Sequence, residues 1–155
     1  MTALQVLADR RPDVPPVLFG SRAKWKLPFP ADNLGVVSPA RLAELYRTSS
    51  AGIVFSLTTH SLVAHEMMAS GLPVVELEGD NVGSALGASG DVVALAERDP
   101  VAIADTLERL LDDREAAAAM ARRARSFVEE RTWERAGDQV EDAMRSFLAT
   151  PARSS

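Results

Sequence analysis

The run from Gly52 to Leu77 constrains the fold more than any other part of the chain. A short apolar segment ending at Ser56 leads into a polar loop, Thr58 to Ser61. A helix-forming stretch follows, carrying Glu66 and stopping at Gly71. Pro73-Val-Val-Glu-Leu77 then reads as a second apolar strand. Strand, loop, helix and strand in this order form the repeating unit of a parallel sheet. In an open sheet of this kind, the loop leaving a strand's carboxyl end meets a helix N-terminus, and ligands bind there. Free backbone N–H groups and the helix dipole favour anions at that point, phosphates above all.

The alternation continues on both sides. Leu4 to Leu7 reads as a short apolar helix end, closed by Asp9, Arg10, Arg11 and Pro12. Pro16-Val-Leu-Phe-Gly20 is expected to be a strand entering a Gly-Ser turn, and residues 24–33, with Pro28 and Pro30, a loop. Leu34-Gly-Val-Val-Ser38 reads as a second strand. Ser38 then caps a helix with Pro39 at its first position and Leu42, Leu45 and Tyr46 on its buried stripe. Ile53-Val-Phe55 is a third strand and Pro73 to Leu77 a fourth. Gly71 suits the left-handed position just past a helix end. Gly79 to Gly90, with glycines at 79, 83, 87 and 90, is expected to be a loop holding one helical turn. Asp91 to Leu95 is a weaker fifth strand. Asp99-Pro100 starts a helix with Ile103, Leu107, Leu110 and Leu111 as its apolar face. Ala116 to Val128 and Trp133 to Leu148 read as two further helices, and the residues from Pro151 onward as a frayed tail. The fold class is therefore α/β, a parallel sheet between helices. Residues 1–150 form one domain, and 151–155 a disordered tail.

Composition narrows the function classes. At 155 residues, 46% hydrophobic and 25% charged, the chain can bury a substantial core. A net charge of −5 argues against nucleic-acid binding, which needs clustered Lys and Arg. Arg114, Arg122, Arg123 and Arg125 do cluster, but Glu115, Glu129 and Glu130 lie among them, as on a solvated helix face. The absence of cysteine excludes disulfides, zinc–thiolate sites and cysteine nucleophiles. With two histidines, a transition-metal site is not expected. No apolar run approaches the roughly 18 residues of a membrane span, and no basic-then-apolar signal opens the sequence.

At Glu66-Met-Met-Ala-Ser-Gly-Leu-Pro-Val-Val75 the chain resembles the family-4 glycosyltransferases of the GT-B architecture, whose pattern there is E-A-M-A-C-G-x-P-V-V. Leu42-Ala-Glu-Leu-Tyr46, Asp91 to Leu95, Asp99 to Asp113 and Arg131-Thr-Trp-Glu-Arg-Ala136 resemble other segments of the same family. The likeness covers about Val14 to Phe147. It implies the C-terminal, nucleotide-sugar-binding half of a two-domain enzyme, a Rossmann-like fold without its first strand. In that family the first strand is central, so its absence leaves two strand edges unpaired. The implied partners are a nucleotide-diphosphosugar, as substrate rather than cofactor, and an N-terminal acceptor-binding domain outside this chain. The implied setting is cytoplasmic, at the membrane surface through the absent half, with oligomerisation left open. GT-B enzymes generally use no bound metal.

The resemblance assigns roles residue by residue. Glu66 would accept hydrogen bonds from ribose hydroxyls. The alternative is a helix-surface glutamate in a local ion pair. Ser61, Leu62 and Val63 would offer backbone N–H groups to the distal phosphate, with Ser61 as an ordinary N-cap in the plainer reading. Gly20 would allow a tight turn beside the cleft. Many retaining relatives carry E-x7-E. Glu66 matches the second glutamate and Thr58 stands at the first, closer to bacterial rhamnosyltransferase-like relatives. Thr58 and His60 are thus the catalytic candidates: Thr58 as a hydrogen-bonding group, His60 toward the donor sugar or leaving phosphate. His60 as a solvent-facing loop histidine is the plainer reading. Two functions stay in view, a donor-binding glycosyltransferase half and a degenerate, non-catalytic nucleotide-binding or assembly module. A receiver or flavodoxin-like domain is weaker, because no acidic cluster follows the first strand.

Overall fold

Local signals place most of the helices. The computed structural model describes residues 2–23, 26–56, 61–86 and 91–149. Ser38 accepts a hydrogen bond from the Arg41 amide, and Pro39 opens α2 (Pro39–Thr48). Asp99 accepts from the amides of Val101 and Ala102 at 2.9 and 3.0 Å, and α5 (Pro100–Asp112) begins at Pro100. Asp113 caps α6 (Arg114–Glu129) through the Ala116 amide. Each cap satisfies an N–H that the helix itself leaves unpaired. α1 spans Thr2–Arg10, and α7 spans Trp133–Ala149. α3 (Leu62–Ala69) ends in a complete left-handed cap. Gly71, at φ +78°, donates to Met68 O at 3.0 Å, and Leu72 donates to Met67 O at 3.0 Å while its side chain is buried.

The strands are shorter than their apolar runs, and they form two parallel sheets. β1 (Val17–Leu18) pairs with β2 (Asp32–Asn33), Val17 opposite Asp32. β3 (Gly52–Ile53), β4 (Val74–Leu77) and β5 (Ala94–Ala96) form the second sheet in that order. Several expectations are corrected here. The second strand is Asp32–Asn33 and not Leu34–Ser38, because the Asn33 side chain accepts from the Gly35 amide and turns the chain at that point. The fifth strand is Ala94–Ala96 and not Asp91–Leu95. Val92 and Val93 are buried ahead of the ladder, so core burial rather than pairing accounts for their apolar character. The third strand stops at Ile53 and not at Phe55. In the glycine-rich segment after β4, the one helical turn expected is a longer helix through residues 80–86. This is α4 (Asp80–Leu86), where Val82 and Leu86, four apart, are both buried. That burial outweighs the roughly 1 kcal/mol that Gly83 costs a helix. The segments 87–90 and 150–155 lie outside the described residues.

β4 is the centre of the second sheet, and all four of its residues are buried. Its alternate side chains serve two cores. Val74 joins Tyr46, Met67, Met68 and Leu72 in a cluster covered by α2, α3, α4 and α6. Val75 and Leu77 join Ala3, Leu7, Ile103 and Leu107 under α1 and α5. Helices thus lie on both faces, a Rossmann-like α/β architecture. Gly52 lets α3 approach β3, since a Cβ there would lie 2.6 Å from the Met67 sulfur and 3.0 Å from a Leu72 methyl. No described helix is long and apolar enough to cross a membrane.

Replacing Gly71 with alanine puts a Cβ into the left-handed cap of α3. Destabilisation of about 1–2 kcal/mol is expected, read from chemical denaturation.

Candidate functional site

One buried carboxylate, Glu76, holds Ser56, which in turn holds Ser61 across segment 57–60. After Val54 donates to Val75 O, the next inward amide, that of Ser56, leaves the backbone ladder. It donates instead to Glu76 Oε1 at 2.7 Å, and the Ser56 hydroxyl donates to Glu76 Oε2 at 2.7 Å. The Leu77 amide donates to Oε1 as well, at 3.0 Å. Glu76 is fully buried and points to the α3 side of the sheet. A carboxylate in such a place needs several donors to offset its lost hydration, and three are supplied. The Ser56 oxygen also accepts from the Ser61 amide at 3.0 Å. Ser56 and Ser61, the residues flanking segment 57–60, are therefore tied to each other and to β4. Thr58 and His60, the catalytic candidates, lie within that segment, outside the described residues.

The N-terminus of α3 is partly satisfied from within. Ser61 caps it, its hydroxyl accepting from the Val63 amide at 3.2 Å. Two of the three proposed phosphate donors, the amides of Ser61 and Val63, are thus engaged by serine hydroxyls. The Leu62 amide has no hydrogen bond among the described residues, and the Leu62 side chain is exposed. Glu66 sits one turn further along on the same helix face and is also exposed. The opposite face, Ala64, Met67 and Met68, is buried. His65 faces its own first turn, with Nδ1 3.4 Å from Ser61 O.

Glu66 has a buried neighbour. Tyr46, on α2, is 3% exposed, and its hydroxyl meets no partner in hydrogen-bond geometry among the described residues. Its pKa is nonetheless pushed up to about 12, first by burial, then by the charge of Glu66 and by partial hydrogen bonding to the same carboxylate. The two groups are therefore close but not ideally aligned. Phe19 packs edge-on against Tyr46, ring centroids 5.8 Å apart at 70°. Gly20 follows at φ +88°, donating to Gly35 O at 2.7 Å. Phe19 and Tyr46 thereby link the end of β1 to the Glu66 face of α3.

Sequence reasoning did not single out Glu76, Ser56 or Tyr46 for roles at the site. The available signal was Glu76 itself, an acid inside an otherwise apolar strand.

The protein holds one tyrosine, so its ultraviolet titration reports Tyr46 alone. A midpoint of about 12 is expected in the folded chain, against 10.0 for a free side chain. Glu66→Gln should lower that midpoint by removing the opposing charge. The unfolded chain releases this proton first. The stability carried by the neutral hydroxyl is therefore intact below about pH 10 and is lost as pH rises through the folded value. Ser56→Ala removes the hydroxyl that joins Glu76 to Ser61. A loss of about 1–3 kcal/mol is expected in denaturant titration.

No curated protein matches the chain. The protein family described as glycosyl transferase-like matches residues 2–142. A parallel α/β sheet with a helix N-terminus at a strand's carboxyl end is the arrangement such a domain needs. This protein belongs to the glycosyl transferase-like family and is a glycosyltransferase domain, whose substrates in general are a sugar nucleotide and an acceptor.

Proposed function

We propose that this chain is the donor-binding half of a GT-B, family-4-type glycosyltransferase, closest to rhamnosyltransferase-like members. The observation that carries the reading is the α3 face on which the Leu62 amide, unengaged among the described residues, and the exposed Glu66 lie one turn apart. A diphosphate at the helix N-terminus and a ribose at Glu66 match that spacing. As the bond from the sugar's anomeric carbon to the diphosphate oxygen breaks, negative charge grows on the leaving phosphate. The Leu62 amide and the helix dipole oppose that charge build-up. The Val63 amide joins them when a phosphate oxygen replaces the Ser61 hydroxyl at its 3.2 Å bond. The Glu76–Ser56–Ser61 chain keeps these donors in place before the ligand arrives, which lowers the reorganisation needed at reaction. Thr58 and His60, on the intervening loop, are the candidates to touch the donor sugar. The acceptor, and any general base, come from an N-terminal domain outside this chain. The proposal extends to surface-polysaccharide or glycan synthesis on the cytoplasmic side of a membrane.

A second reading is a non-catalytic nucleotide-binding or assembly module. It is favoured by the engagement of the Ser61 and Val63 amides within the chain, and by threonine at position 58. Thermal shift with UDP-, GDP-, dTDP- and ADP-sugars separates the two. Stabilisation by one nucleotide class is expected, with affinity falling about ten- to a hundredfold in Glu66→Ala, the worth of a charge-assisted hydrogen bond. A folded chain that responds to none of the four favours the second reading.

A further inference from the structure

A hydroxyl taken out of water and left unmatched weakens a fold, so one that persists calls for an account. The Tyr46 hydroxyl is such a group. It is buried, and nothing meets it in hydrogen-bond geometry among the described residues. Nearby, Thr48 and Ser49 donate their hydroxyls to carbonyls of the preceding turn, those of Glu44 and Leu45. The Tyr46 ring lies in the core cluster beneath α3, edge-on to Phe19. A phenylalanine would fill that place without the orphaned oxygen. The acid within its influence is Glu66, whose charge and partial hydrogen bonding follow burial among the causes of the raised phenol pKa. Glu66 is exposed on α3 and enters no ion pair among the described residues.

We propose that Tyr46 is a positioning residue for Glu66: with a nucleotide bound, its hydroxyl donates to one carboxylate oxygen and holds the other toward the pentose hydroxyls. The inference rests on the donor-site reading of α3. A glutamate on an exposed helix face turns about several side-chain bonds, so its carboxylate samples many directions. A second bond to the same carboxylate offsets the ordering cost of the bond that the sugar makes. A buried phenol suits that task. It offers one O–H donor, stays neutral at ordinary pH and leaves the carboxylate its charge. The Tyr46 ring is fixed by the core and by Phe19, so only the glutamate has to move. The two groups are already close, and rotation within the Glu66 side chain is enough to complete the bond. The hydroxyl unmatched in the empty chain is thus matched in the occupied one, and part of the binding energy comes from that exchange. Only a nucleotide with pentose hydroxyls draws on it.

The test measures binding of UDP, GDP, ADP and dTDP by calorimetry, each beside its form lacking the pentose hydroxyls. It compares the unaltered chain with Tyr46→Phe, Glu66→Gln and the double variant. In the unaltered chain, the nucleotide that binds best should do so about tenfold or more tighter than its deoxy form. Tyr46→Phe should lose most of that preference, binding the hydroxylated nucleotide about tenfold more weakly and the deoxy form unchanged. In the double variant the two losses should not add, because both break the same contact. Without nucleotide, Tyr46→Phe should melt at the same temperature as the unaltered chain or above it, since the oxygen it removes has no bond to lose. A tyrosine with a structural role alone would behave otherwise. Its replacement would lower Tm and weaken both nucleotide forms alike, and that result overturns the inference. So does a Tyr46→Phe chain that keeps the full preference for pentose hydroxyls. Those two outcomes leave the donor-site reading standing. An unaltered chain that binds no nucleotide, or binds both forms equally, overturns that reading and this inference with it.

Discussion

The contact on which the site depends is the buried Glu76 carboxylate with its three donors. It takes the Ser56 amide out of the backbone ladder, and so contributes to where β3 ends. It orients the Ser56 hydroxyl, whose oxygen then receives the Ser61 amide. Ser61 in turn caps α3. One side chain from the central strand thus specifies the length of its neighbour, the span of a loop and the first turn of a helix. Removing one member of such a network leaves buried polar atoms unmatched, which is why its parts act as a unit.

What could be read from the sequence was what is local. Ser38-Pro39, Asp99-Pro100 and Gly71 each carry their structural consequence within four residues, and each sits where expected. Strand limits depend on partners far along the chain. Nothing near Leu34 announces that Asn33 turns the backbone, and nothing near Phe55 announces that Glu76 competes for the next amide. The length of the helix at Asp80–Leu86 was hidden by its glycine, because burial of Val82 and Leu86 is decided by the rest of the fold.

The candidate site divides in the same way. Ser61 as a cap and Glu66 on the exposed face of α3 follow from helix periodicity. The competition for the Ser61 and Val63 amides could not be read there in full, because the Ser56 hydroxyl is brought in by a strand-to-strand contact twenty residues apart in sequence. Tyr46 was legible as core, but its nearness to Glu66 is a product of how α2 and α3 pack.

The four successive positions Val74 to Leu77 alternate between surroundings: Val74 meets the core under α3, Glu76 meets Ser56, and Val75 and Leu77 meet the core under α1 and α5. A substitution at any of them disturbs a layer that its own flanking residues do not touch. Divergence among descendants of this domain should therefore be slowest along this strand, with accepted changes arriving as matched sets across two cores rather than singly.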